Sequence, residues 1–465
     1  MRERLLFLTG RLAESRLEKV LKDMAPTAFD WGIVNVGVKV AALMTEPILM
    51  RRLPRPLHAD RVIVPGRCRA DLNRLAVEFG APFERGPDEV RDLPEFFGKP
   101  RAALDLSRHA LRIFAEIVEA SQMSVEALVA RAERMRAQGA DVIDLGCLPD
   151  TPFPHLEDAV RELKARGFSV SVDSADASEL RRGGAAGADF LLSLDERNLA
   201  IAGETGARPV LIPAPHGDLA SLYRAHDEAQ KRGVEAILDP VLDPIHFGFA
   251  ASLCRYREVR ARLPEAEMLM GTGNLTELTD ADSVGVTAVL LGICSELAIT
   301  NALVVHVSPH TRRTIEEHDS ARRIMYAAAA DHSLPRGYGS ALMQIHDRKP
   351  FPYSAEEIAE AAAQVRDENY RIEAAEDGIH IYNRAGHFVA LEAFALFDKL
   401  GVETDGAHAF YLGAELMKAE IAFQLGKRYA QDGPLDWGSA TDRRDEDRTR
   451  LSEAGYTLRA RGSNE

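Results

Sequence analysis

Short apolar runs, each ending on or near a polar residue and each followed by sequence with apolar positions three and four residues apart, recur about eight times between Ile113 and Val307. An apolar run of this length bounded by turn residues suits a buried strand, and three- and four-residue spacing suits an amphipathic helix. Strands that alternate with helices form a parallel sheet, and eight of them close into a (β/α)8 barrel whose strand ends share one rim. The expected runs cover 113–120, 141–146, 168–173, 189–194, 208–213, 234–239, 267–271 and 302–307. The apolar stretch 286–293 continues through Ser295, Glu296 and Leu297, which is long for a strand, so it reads as a buried helix.

The same patterning assigns the flanks. Strands are expected at 5–8, 31–36 and 61–64 and helices at 13–24, 40–53 and 70–79, giving a small open α/β domain over 1–98. Its strand ends are Thr9-Gly10, Asn35-Val36-Gly37 and Pro65-Gly66-Arg67, positions where an open sheet can hold a ligand or simply turn tightly. No Gly-x-Gly-x-x-Gly opens a helix there, which argues against a dinucleotide site. The barrel is expected over 110–330, followed by a linker at 331–354 marked by Pro335, Gly337, Gly339, Pro350 and Pro352. A C-terminal α+β domain is expected over 355–438, with helices at 356–363, 390–400 and 407–429 and a strand at 378–383. The charged tail 440–465 is expected to be mobile.

Composition narrows the classes. In 465 residues, 57 Lys and Arg face 72 Asp and Glu, and the net charge of -15 argues against a general nucleic-acid or anionic-membrane partner. The apolar run at 5–8 is too short for a signal or a span, so a cytoplasmic protein without membrane contact is expected. Cys68, Cys147, Cys254 and Cys294 show no paired spacing, which suits reduced thiols and offers no zinc motif. A homo-oligomer is expected.

The chemistry lies at the predicted strand ends. Asp144, Asp173, Asp195 and Asp239 end or follow successive runs, Glu116 and Glu119 lie in the first, and Asn274 follows the seventh. Any one aspartate could cap the next helix, but four at successive barrel ends favour a site. Carboxylates in such a place accept paired hydrogen bonds from an amino group and ring N–H on one heterocycle edge, as a pterin offers. After the eighth run His306, Ser308, His310, Thr311, Arg312 and Arg313 approach a helix start, so His306, Arg312 and Arg313 are candidates for phosphate; arginine there can also be an ordinary solvated residue, but the accompanying hydroxyls and histidines favour phosphate slightly. Glu119 is a candidate oxygen ligand for magnesium. His408 lacks the Asp-x-His-x-x-Gly spacing of a cobalamin-binding element.

Three segments, Asp141-Val142-Ile143-Asp144-Leu145-Gly146, Ser171-Val172-Asp173-Ser174 and Ile237-Leu238-Asp239-Pro240, resemble in order and spacing the strand motifs of dihydropteroate synthases. The resemblance covers about 110–325, and the extra domains look like those of the divergent relatives linked to tetrahydromethanopterin in methanogens and methylotrophs. It implies a pterin-binding barrel in which a hydroxymethyl-dihydropterin diphosphate loses diphosphate to an arylamine, there a ribofuranosylaminobenzene phosphate. Asp144, Asp173, Asp195, Asp239 and Asn274 would then hold the pterin, with Asp173 and Asp239 catalytic. Two departures stand out. Gly271-Thr272-Gly273-Asn274 replaces the lysine that synthases carry after the seventh strand, and Asp239-Pro240 leads to Val241-Leu242-Asp243 rather than glycine. Gly-Thr-Gly-Asn and Glu116 also resemble elements of pterin-dependent methyltransferase barrels. Non-catalytic pterin binding and methyl transfer therefore stand beside the transferase as alternatives.

Overall fold

The computed structural model describes residues 2–100 and 104–442, so nearly all of the tail expected to be mobile lies outside the described residues. The chain forms two compact units, divided between Gly339 and Ser340.

The first unit opens with a four-stranded parallel sheet of β1 (Glu3–Thr9), β2 (Phe29–Asn35), β3 (Arg61–Val64) and β4 (Phe83–Arg85), in the order β2-β1-β3-β4. The expected helix over 40–53 is broken into a 3-10 turn, Ala41–Leu43, and a helix, Glu46–Arg52. Pro47 explains the break, because proline lacks an N–H and fits only the first helical turn. The three residues of β4 are too few to carry a readable alternation.

The same unit then builds the barrel from β5 (Arg112–Ile117), β6 (Val142–Gly146), β7 (Ser169–Asp173), β8 (Phe190–Leu194), β9 (Arg208–Leu211), β10 (Ile237–Leu238), β11 (Leu269–Gly271) and β12 (Asn301–Val305). All eight are parallel, in the order β10-β9-β8-β7-β6-β5-β12-β11. The two ends meet at a single bridge, Leu238 with Met268, where the Leu238 N–H donates to Glu267 O at 2.9 Å. The stretch 286–293 is helical, inside Ser283–Glu296.

Alternation places the site above the core. Phe114, Val142, Phe190, Leu192, Val210, Ile237 and Leu269 form one buried cluster with Leu303 packed on it, and the Phe114 and Phe190 rings meet edge to face at 5.0 Å. Successive strand residues face opposite sides, so two residues further along β5, β6 and the β10 exit the inward positions are Glu116, Asp144 and Asp239. The apolar plug thus gives way to a layer of acids at the C-terminal mouth.

The second unit holds an antiparallel sheet of β13 (Arg371–Ala375), β14 (Gly378–Asn383) and β15 (Gly386–Ala390). A helix, Ala355–Gln364, starts on a capping box of Ser354 and Glu357, and a second, Gly406–Leu425, packs on the sheet. That second helix stops short of the expected 429 because Gly426 takes the left-handed conformation that ends helices. The expected helix at 390–400 is corrected: Ala390 pairs with Ile379 at the end of β15, and only a 3-10 segment, Ala393–Lys399, follows. Every residue of β14 is buried, and a strand with neighbours on both edges claims β15 as its second partner, overriding local helix preference. Among the described residues no helix is long and apolar enough to cross a membrane.

Candidate functional site

The acids of the mouth are set by strand register. Glu116 pairs with Asp144 across β5 and β6, Asp144 pairs with Ser171 across β6 and β7, and Gly146 pairs with Asp173. Gly146 lies close against β5: a Cβ there would come 2.7 Å from Glu116 Oε1, the movable end of that side chain, and 3.1 Å from Val118 Cα. Asp144 is fully buried; Ser171 Oγ donates to its Oδ1, while Oδ2 has no hydrogen-bond partner among the described residues. Asp173 accepts from Ser193 Oγ at 2.9 Å. Asp239 Oδ1 accepts from the Tyr256 hydroxyl at 2.7 Å and from the Val241 N–H at 2.8 Å.

These carboxyls shift together. Burial pushes Glu116 up to about 7, with the charge of Asp173 adding to it. Burial also raises Asp144 well above the carboxylate range, helped by the charges of Asp173 and Glu116 against the Ser171 hydrogen bond. Asp173 is raised by burial, against the Ser193 hydrogen bond. Asp239 is raised to about 6 by burial, against the bonds from Tyr256 and Val241. Four acids in one low-dielectric mouth cannot all ionise without a partner. Asp144 is the sharpest case: ionised, its Oδ2 wants a donor, and protonated, it carries a hydroxyl that wants an acceptor.

Backbone strain gathers at the same rim. Ser193 and Val241 have positive φ, 65° and 67°, and Val241 is β-branched, so its conformation is a genuine outlier. Such strain persists where surrounding structure holds it, and here Arg255 donates to Pro240 O at 3.0 Å, Val241 O at 2.7 Å and Asp243 at 2.7 Å.

A cleft of about 440 Å³ opens at the exits of β5, β10, β11 and β12. Its polar walls include Glu116, Asp239, Asn274, Glu277 and Ser308. Among the described residues that line it there is no lysine, arginine or histidine. Asn274 spends one amide N–H on Leu242 O at 2.6 Å and is exposed.

The structure brings Asp144, Asp173 and Asp239 together with Glu116, and sets Asn274 beside Asp239 in the cleft. Asp195 is differently engaged: its carboxylate takes the Arg197 N–H at 2.7 Å and the Arg197 guanidinium, and these bonds hold it below its ordinary range. Asp195 does not cap the next helix, Ala200–Thr205, whose N-cap is Leu199. Glu119 is exposed beyond the end of β5, and among the described residues no group of three or more acids, histidines or cysteines could hold a metal.

The expected phosphate side is also differently built. Arg312 is exposed, Arg313 pairs with Glu316 at 3.0 Å, and burial together with Arg131 depresses His306. The backbone donors of the β12 exit go to Glu277, which sequence reading missed: its carboxylate accepts from the N–H groups of Val307 (2.8 Å) and Ser308 (3.0 Å) and from the Thr311 hydroxyl (2.6 Å). Burial works to raise Glu277, but the bonds from Thr311, Val307 and Ser308 outweigh it and hold the carboxyl low. Ser171, Ser193 and Tyr256 were missed as well. Ser171 had a signal, because it lies two residues before Asp173 on the same strand face.

A model described as a family of unknown function, DUF6513, matches residues 3–88. An uncharacterized protein of Methanocaldococcus jannaschii, MJ0107, is 26% identical over 94% of this chain and 100% of its own length. Among solved structures, dihydropteroate synthase of Yersinia pestis with a pterine-sulfa conjugate is 18% identical over 49% of this chain and 97% of that chain, with a TM-score of 0.38. The 7,8-dihydropteroate synthase of Vibrio fischeri is 16% identical over 50% and 96%, with a TM-score of 0.39.

Proposed function

We propose that the barrel mouth binds a pterin through the edge that carries its 2-amino group and ring N–H. The carrying observation is the set of raised carboxyls Glu116, Asp144, Asp173 and Asp239 around a mouth in which Asp144 Oδ2 has no partner among the described residues. Two adjacent donors on a flat ring supply what these acceptors lack, and the cost of leaving a buried acceptor unpaired becomes binding energy. Asp239→Asn should weaken binding of hydroxymethyl-dihydropterin by about 1 to 3 kcal/mol in calorimetry. Wild-type affinity should rise as pH passes about 6, where Asp239 ionises, and the variant should lose that rise. Unchanged affinity removes Asp239 from the site.

The finer reading is a dihydropteroate synthase-like transferase that condenses the pterin diphosphate with an arylamine in tetrahydromethanopterin synthesis, with Asp173 and Asp239 as its candidate catalytic residues. The three strand motifs support it, and negative charge at the mouth would favour the cationic methylene left by diphosphate. Binding without condensation is a second reading, favoured by the absence of cationic side chains among the described cleft residues. Incubation with the pterin diphosphate and either p-aminobenzoate or the ribofuranosylaminobenzene phosphate separates the two by mass spectrometry. Diphosphate and a condensed product support the transferase, whereas pterin binding without product leaves the second reading.

A further inference from the structure

Strand exits that run into a helix are seats for anions, because successive backbone N–H groups point outward with nothing inside the element to accept them. In (β/α)8 barrels the exits of the seventh and eighth strands commonly hold phosphate in this way. Here β12 runs through His306, Val307 and Ser308 into the 3-10 turn Pro309–Thr311 and then the helix Thr314–Ala330, so the seat is present in the backbone. It is filled from within. Glu277, at the end of the short helix Gly273–Thr276 that follows β11, puts one carboxylate on both N–H groups and on the Thr311 hydroxyl.

We infer that Glu277 is a resident anion mimic that makes the mouth selective for a donor-rich heterocycle without phosphate or carboxylate on the β12 side. The inference rests on the pterin reading for the identity of the ring, but not for the seat itself, and it takes binding without condensation over the transferase, whose diphosphate ester the β12 side would disfavour. An incoming phosphate would have to strip the carboxylate of three donors and then lie against its charge. Glu116, on the strand paired with β12, and Asp239, at the β10 exit, add acidic groups to the same cleft, which offers no cation among its described lining residues. A neutral or cationic amino-heterocycle meets none of these obstacles. Arg131 Nη2 lies 3.5 Å from His306 O at the same strand exit.

The test uses the full chain, inorganic pyrophosphate, hydroxymethyl-dihydropterin and its diphosphate ester, titrated by calorimetry into wild type, Glu277→Ala and Glu277→Gln. Wild type should give no pyrophosphate binding and should prefer the unesterified pterin by about tenfold or more. Glu277→Ala should gain pyrophosphate binding and raise its affinity for the diphosphate ester by about tenfold. Glu277→Gln, which keeps the shape and loses the charge, should gain in the same direction and stands in if the alanine variant fails to fold. Pyrophosphate binding by wild type as tight as by the variants, or no gain in a folded variant, overturns the inference. Loss of all pterin binding with the pyrophosphate gain intact overturns the pterin reading and leaves the resident anion standing.

Discussion

The two sides of the barrel mouth treat a carboxylate in opposite ways. Across β5, β6, β7 and β10, Glu116, Asp144, Asp173 and Asp239 have few donors and are all raised, whereas at the β12 exit Glu277 has two backbone N–H groups and a hydroxyl and is lowered. Burial pushes upward on both sides, but the four acids are more deeply buried and crowd one another, whereas Glu277 is shallower and has more donors; Asp239 keeps two donors and is still raised to about 6. Hydrogen bonds to the charged form are worth enough to reverse a desolvation penalty, so Glu277 is finished within the fold and the four acids are not. Acidic residues at strand ends therefore do not form one class: some complete the structure, and others wait for a partner.

The contrast can be broken most strongly through pH. Glu116 has an ordinary value of 4.5 and is pushed up to about 7 in the folded chain. Between those values the unfolded chain has released the proton and the folded one still holds it. The Glu116 contribution to the stability of the ligand-free protein is therefore full below about 4.5 and is lost, by about 3 kcal/mol, as pH rises through about 7. Urea denaturation of wild type and Glu116→Gln across that range should differ by this slope, the remainder belonging to Asp144, Asp173 and Asp239; equal slopes in the two proteins would place the strain elsewhere. Next in size, Ser171→Ala leaves Asp144 without its one donor and should cost about 1 to 3 kcal/mol in the same assay. The smallest effect belongs to the satisfied side. Thr311→Ala removes one of several bonds to Glu277 and should cost about 1 kcal/mol, with no change in pterin affinity. A loss there equal to that of Ser171→Ala would erase the distinction.

The periodicity of the chain carried the barrel, because each strand is buried on both faces and each helix on one, and both demands leave a readable trace. It also carried Asp144, Asp173 and Asp239, since alternation sends residues two apart to the same side. Three kinds of information were not local. Glu277 lies between a helix end and a loop, and only the fold brings it to donors 30 residues and more away. Asp195 has the same sequence signature as its neighbours, yet Arg197 two residues on claims it. The boundary of β15 was set by β14 across the hairpin rather than by its own residues.

The bridge between Leu238 and Met268 gives the barrel a seam. β10 shares two register positions with β9 and this one contact on its other side, while every other neighbouring barrel pair shares three or more. Local opening follows the line with fewest ladder bonds, so the wall should part first between β10 and β11. Asp239 stands on one lip of that line and Asn274 on the other, where the Asn274 amide N–H donates across it to Leu242 O. A flat guest gripped by both would act as a suture, and backbone amides along the β10–β11 edge would exchange with deuterium more slowly once it is in place.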